Sequence, residues 1–450
     1  MLNLSKLKVI FSAITIFFLI AVFALDALVR QPFVDEGMAI QAAFHFFKDF
    51  QYAFYPDQAR NFGAFEPGLS IGIASSWVSG LAWGFGGSVF LVRLAVIFYH
   101  FILIFLVADL LAKMRNWNDV SRLVFIAISL FIAIKCVPYT LDSVGHGLGE
   151  VSGFLVLLLG FLVGNRSSKG NGYLWGILLL GVCVWHTKFI FFPFAVVGGV
   201  WLYARALDRD AKVLWSKEGI TELSKCLLVF LLPLLFWLVL IVLRTGFAGL
   251  AEWFFRRTNH LYIGNSGLNG PPRVTGLFNR LASPQLEWAR SPARLRVEVL
   301  VLLFGPIGLL LLDWMKNFRQ KSHDWVLRVG LSGFLVFFTL WWFLWHKEMW
   351  LRHIQPALLV GFGVLVFYGM KRLERFEDRI KLKLLVVGIG IVFSWLVLRN
   401  PFFDLRFLRS GPAPEQFSML CHSDVFWRKA PMDIPACANG FALPAPNSYP

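Results

Sequence analysis

The chain has 450 residues, of which 57% are hydrophobic and only 16% charged, with 47 Phe and 18 Trp. Its mean hydropathy is +0.65, and soluble domains carry about 25% charged residues, so a set of soluble domains is excluded in favour of a multi-pass membrane protein. The formal charge of +16 then reads as Lys and Arg held in short cytoplasmic loops against anionic lipid, not as a nucleic-acid surface.

A span needs about 20 apolar residues. The first, 8–28, follows Lys6 and Lys8 and reads as an uncleaved anchor, because no small-residue cleavage site precedes Arg30. The acidic pair Asp35–Glu36 comes next, either as a solvated helix end or as a catalytic base or metal ligand. Residues 67–84 are rich in Gly, Ser and Trp and suit an interfacial or re-entrant piece. Further spans are expected at 89–112, 122–138 and 150–164. The apolar stretch 173–204 is too long for one span and carries Lys188 and Pro193 near its middle, so it splits into 173–187 and 189–204. Four more follow at 224–243, 297–313, 326–345 and 353–370, and a last one at 383–399.

Charge bias chooses the orientation. With the N-terminus cytoplasmic and 67–84 not crossing, 112–122, 165–171, 205–217, 316–321 and 371–383 all fall inside, each with Lys or Arg. Eleven spans result, with the C-terminus outside. The fold expected is all-α and polytopic. Residues 1–400 form the membrane domain, 29–88 a first outer loop with juxtamembrane helices, 244–296 a second long outer loop, and 401–450 a short outer tail. In the tail, Cys421 and Cys437 are disulfide candidates if that compartment is oxidising. Walker A, HExxH and CxxC motifs are absent from the sequence.

This topology gathers polar residues on one face. They are Asp35, Glu36, Glu66, Asp142, His146, Glu150, Lys188, Lys347, Glu348, Arg352 and His353. The 244–296 loop adds Arg256, Arg257 and Arg273 among nine Arg and His residues. Carboxylates can take the proton of an acceptor hydroxyl; guanidinium groups, or a divalent cation such as Mg or Mn, can stabilise a leaving phosphate. Trp77, Trp83, Trp253 and Phe254 are aromatics able to hold an isoprenoid chain or stack on a sugar. His100, within the second span, is expected to be packed.

Five stretches resemble, in order and spacing, the GT-C superfamily of polytopic glycosyltransferases, in its branch of protein O-mannosyltransferases and lipid A aminoarabinose transferases. They are VDEGMAIQAAFHFFKDF (34–50), the segment 65–113, GLGEVSGFLVLLLGFLV (147–163), GILLLGVCVWHTKFIFFPFAV (176–196) and WLRHIQPALLVGFGVL (350–365). The resemblance implies a sugar taken from a polyprenyl-phosphate carrier, with inversion, on the extracytoplasmic face of the plasma (bacterial inner) membrane. It makes Asp35 the catalytic acid or base or a metal-linked residue, with Glu36 beside it and Glu150 as the second acid. Lys188, Arg352 and His353 fall near the carrier phosphate, and Arg256, Arg257 and Arg273 are further candidates for it. Glu66, Asp142 and His146 are candidates for acceptor or loop contacts. A glycan, a lipid or a protein is the acceptor, membrane lipids surround the chain, and no nucleic acid is involved. Two departures stand out. Glu66–Pro67 occupies the place of a Lys-Pro in the aminoarabinose enzymes, and the 401–450 tail is shorter than the soluble C-terminal domain of some members. A transporter or flippase for lipid-linked sugars is the rival reading. Charges concentrated at span ends, not at the midplane, favour the enzyme.

Overall fold

A computed structural model describes residues 34–52, 72–86, 89–114, 116, 147, 149–166, 170–209, 215–257, 293–317, 324–345 and 351–373, and parts of 10–24 and 123–134. These residues are almost wholly helical. In chain order the helices are α1 (Val34–Asp49), α2 (Ile73–Gly86), α3 (Val89–Met114), α4 (Glu150–Arg166), α5 (Tyr173–His186), α6 (Phe192–Arg209), α7 (Lys217–Arg257), α8 (Ala293–Asn317), α9 (Asp324–Leu344) and α10 (Leu351–Leu373). Short 3₁₀ turns at Gly170–Gly172 and Phe189–Phe191 flank α5.

Five of the described helices are long and apolar enough to cross a membrane, and two apolar stretches, Tyr173–His186 and His353–Gly369, are shorter. α3 has 26 residues, contains neither Gly nor Pro and reaches about 39 Å. It stops before Asn116, which takes the left-handed conformation with φ 56°. The expected split of 173–204 is present: α5 ends at His186, the chain turns through Thr187 and Lys188, and α6 begins at Phe192. Of the segment 67–84, residues 72–84 are described. Its helix, α2, has 14 residues, about 21 Å, and lies against α1, with Gly80 facing the backbone of Ala43. Cys183 and Cys226 are buried thiols.

The expected boundary at residue 243 is replaced by a longer element. α7 continues to Arg257, with a break at Gly246 (φ 71°, ψ −179°), so the segment 244–296 begins as helix. Beyond the break Trp253 is buried in a cluster with Ala42, Tyr52, Trp237 and Ile241, and this packing holds the extra turns. The lipid-facing side of α7 exposes Leu227, Leu228, Phe236 and Val239, as expected for a helix bathed in acyl chains.

Two ends of the bundle can be told apart. At one, Tyr173 on α5 donates to Glu222 on α7, Lys225 pairs with Glu222 at 3.3 Å, and the Tyr203 hydroxyl reaches the Gly219 carbonyl at 3.0 Å. Asp313 Oδ2 on α8 accepts from Arg328 Nη1 on α9 at 2.7 Å and from the Tyr368 hydroxyl on α10 at 2.8 Å. This second knot ties three helices together. Tyr368→Phe is expected to cost about 1 kcal/mol and Asp313→Asn about 2–3 kcal/mol, read as a lowered Tm of the purified protein with its activity unchanged.

The other end holds α1, α2, the start of α3, the start of α4 and the α5–α6 turn. α9 and α10 register with it. Phe338 in the C-terminal half of α9 stacks on Phe194 at the start of α6, ring centroids 5.2 Å apart, so α10 opens at this end.

Candidate active site

Glu150 is the first residue of α4, where a carboxylate meets the positive end of the helix dipole. Its approach is built by glycine. Gly147 (φ 62°) and Gly149 (φ 92°) both take left-handed backbone, which lets the chain turn tightly over α2; a side chain at Gly147 would touch the Ser75 carbonyl and Ser79 Oγ. One turn into α4, Ser152 Oγ donates to Ser75 Oγ at 2.7 Å, with both serines buried.

Lys188 comes from the α5–α6 turn. Thr187 caps α5 by donating its hydroxyl to the Cys183 carbonyl, Lys188 N–H reaches the same carbonyl at 3.2 Å, and the Lys188 carbonyl accepts from Phe191 N–H at 3.1 Å. Held so, Lys188 is extended (φ −147°, ψ 123°) and its ammonium forms an ion pair with Glu150 Oε1. The Glu150 side chain is 7% exposed and that of Lys188 18%. The second carboxylate oxygen, Oε2, is buried without a hydrogen-bond partner among the described residues. A buried ion pair contributes little to stability for the desolvation it requires, and one with an acceptor lone pair unmade is a place for a ligand's donor.

α2 is fastened to this turn. Gly72 N–H donates to the Thr187 carbonyl at 2.7 Å, and Tyr99 on α3 donates to the Ala74 carbonyl at 3.3 Å. Alongside runs an aromatic wall around Trp237, with Phe46 stacked at 5.7 Å, Tyr52 edge-on at 5.2 Å and His186 edge-on at 5.5 Å. His186 Nε2 lies 2.8 Å from the Pro233 carbonyl, and the Tyr52 hydroxyl is 3.3 Å from Ser76 Oγ.

Among the residues expected from sequence, Glu150 and Lys188 are brought into direct contact. Asp35 and Glu36 sit in the first turn of α1, Arg256 and Arg257 end α7, and Arg352 lies in the first turn of α10; the side chains of these five are outside the described ones. His353, beside Arg352, is half-buried. Glu66, Asp142, His146, Arg273, Lys347, Glu348, Cys421, Cys437, the span 383–399 and the 401–450 tail all lie outside the described residues.

Two of the aromatics need correction. Trp83 is fully buried against Ile40 and Val92, and Trp253 is buried in the Trp237 cluster, so neither offers a ring face to a ligand; packing between α1, α2, α3 and α7 consumes them. Trp77 and Phe254 remain exposed. His100 is packed as expected, its Nδ1 2.7 Å from the Val96 carbonyl. Sequence reading missed Ser75, Ser152, His186 and the aromatic wall. Only the spacing of Ser75, Ser76 and Ser79, one buried face of α2, carried a signal.

Among the described residues no three His, Cys, Asp or Glu side chains gather to hold a metal ion. Glu150 offers one unpaired oxygen, and the Lys188 ammonium on its other oxygen places positive charge where a cation needs the opposite. Asp35, the other carboxylate expected to hold such an ion, has its side chain outside the described ones.

No protein-family model and no curated protein matches the chain. Two solved structures are similar to it. One is ArnT from Cupriavidus metallidurans bound to undecaprenyl phosphate, with a TM-score of 0.46 and 16% identity over 89% of this chain and 66% of that one. The other is ArnT from the same organism in the apo state, with a TM-score of 0.45 and 15% identity over 89% of this chain and 65% of that one. The chain thus spans slightly less than two thirds of the length of either.

Proposed function

We propose that the chain is a membrane glycosyltransferase that moves a monosaccharide from a polyprenyl-phosphate carrier to an acceptor hydroxyl on an envelope glycan, lipid or protein, on the outer face of the bacterial inner membrane. The observation that supports it most is the buried Glu150–Lys188 pair, with one carboxylate oxygen unmade, at the same bundle end as the helix that opens with Asp35 and Glu36. The GT-C resemblance of the sequence names those same four residues.

The chemistry is a single displacement. Asp35 accepts the proton of the acceptor hydroxyl as its oxygen attacks the anomeric carbon. The bond from that carbon to the phosphate oxygen breaks on the opposite side, and the carrier leaves as polyprenyl phosphate with the bonding electron pair. One displacement inverts the anomeric centre. Negative charge grows on the departing phosphate, and Lys188, with Arg352, His353 and the basic residues Arg256, Arg257 and Arg273, offsets it. Glu36 and Glu150 orient the acceptor and Lys188. The low exposure of the pair strengthens each of these interactions over its value in water.

Transfer of radiolabelled sugar from synthetic polyprenyl-phosphate donors tests the reading. Asp35→Asn is expected to lower turnover by at least about 10²-fold, with expression and Tm retained. Full activity in Asp35→Asn overturns the assignment of the base. Absence of transfer from every donor by the wild type, together with lipid-linked sugar crossing in liposomes, replaces the enzyme by a flippase.

A further inference from the structure

Gln355 is the fifth residue of α10 and is 1% exposed. Its carboxamide nitrogen, Nε2, has no hydrogen-bond partner among the described residues. Buried amides almost always find partners, so a stranded donor inside an apolar core asks what it is for.

Its position narrows the answer. α10 packs on the 3₁₀ turn Phe189–Phe191, which directly follows Lys188, and on α4, which opens with Glu150. Ile354 and Ala357 beside it belong to the same core as Val151 and Phe191. Phe338 on Phe194 sets the opening of α10 at the Lys188 end of the bundle. Side chains of a helix lean toward its N-terminus, which puts the opening turn of α10 within reach of a carboxamide on its fifth residue. That turn has backbone N–H groups with no acceptor inside the helix and carries the positive end of its dipole. A helix N-terminus with a stranded side-chain donor within reach of it, on a turn that delivers a lysine, is the complement of a phosphate group.

We propose that Gln355 contacts the phosphate of the lipid carrier, donating a carboxamide N–H to one of its oxygens. The proposal rests on reading the site as one for a polyprenyl-phosphate sugar, and it adds a neutral donor to the charged residues already assigned there. A neutral donor suits a group that must let go of its ligand, since it fixes the phosphate in place without deepening the hold of Lys188 on the product. The same stranded donor is a liability while the site is empty. Replacing it by an apolar side chain of similar length is therefore expected to leave the ligand-free protein as stable as before, or more so, while weakening the bound state. A residue kept for structure does the reverse.

The experiment uses the purified full chain as wild type, Gln355→Met and Gln355→Asn. The probes are synthetic polyprenyl phosphate without sugar and, as a control, the corresponding polyprenol. The readouts are ligand-free Tm and Kd for each lipid. The expected result is a ligand-free Tm for Gln355→Met at or above that of the wild type, a Kd for polyprenyl phosphate raised about tenfold, and an unchanged Kd for polyprenol. Gln355→Asn, which keeps the amide on a shorter stem, falls between the two. With the sugar-charged donor, KM rises more than kcat falls. A lowered ligand-free Tm with carrier affinity intact overturns the proposal and makes Gln355 structural. Unchanged affinity for bare polyprenyl phosphate with weakened affinity for the sugar-charged donor also overturns it, because the contact is then to the sugar. Wild type that binds polyprenyl phosphate no better than polyprenol removes the reading of the whole site, and this inference with it; wild-type binding that Gln355→Met fully retains removes this inference alone.

Discussion

Lys188→Met is expected to abolish sugar transfer and to lower the Tm of the purified protein, and the loss of stability should be largely reversed by adding Glu150→Gln. The single change strips the ammonium from a carboxylate that is 7% exposed and whose other oxygen already has no partner among the described residues. Breaking a buried pair from one side costs roughly 3–5 kcal/mol, because the remaining charge is left without compensation. Removing both charges takes that penalty away, so the double variant returns toward wild-type stability. Activity does not return, since neither the phosphate ligand nor the second acid is restored. The cycle of wild type, two single variants and the double variant therefore separates folding from function. Additive losses of stability would show that the pair is not coupled. Activity in the double variant near the wild-type level would show that the chemistry lies elsewhere in the chain.

The parts of the fold readable from sequence were those where a membrane imposes hard constraints. Lys188 and Pro193 cannot both sit at the midplane of one span, so α5 and α6 had to be two short helices with a turn between them. The Gly, Ser and Trp content of 67–84 suggested a short interfacial or re-entrant piece, and its described part falls in the 14-residue helix α2. The parts not readable depend on contacts between residues distant in the chain. Glu150 and Lys188 each stood out alone, but 38 positions separate them and only the packed bundle joins them. Arg244, Thr245 and Gly246 read as the end of a span, yet α7 resumes beyond them because Trp253 finds a buried place in the Trp237 cluster. Trp83 looked available to a ligand because nothing local reveals that Ile40 and Val92 enclose it. Gln355 was hidden in the opening of an apolar span, where a single amide carries no periodic signal.

Gly72→Ala is expected to dislodge α2 and to remove most of the transfer activity, although Gly72 itself carries no chemistry. A Cβ at that position would overlap the Cα and carbonyl of His186, which are backbone atoms and have no rotamer to yield. The overlap forces apart the Gly72 N–H and the Thr187 carbonyl, now 2.7 Å from one another. With that bond goes the registry of the Ser75–Ser152 contact three residues on, in α2. Overpacking in a tight site costs about 1–3 kcal/mol, and here it falls on the joint between the juxtamembrane helices and the Lys188 turn. Stability should fall by that amount, while activity falls further, because a shift of about 1 Å in a positioning element costs about 10²-fold in rate. Gly84→Ala, in the same helix, is the matched control: its nearest neighbour is the Phe44 ring at 3.9 Å, and Ala is the better helix former by up to about 1 kcal/mol. That variant should keep activity and stability. Hydrogen exchange across 72–86 checks the mechanism, with faster exchange expected in Gly72→Ala and none in Gly84→Ala. Equal behaviour of the two variants would mean that the Gly72–Thr187 joint does not hold the site together.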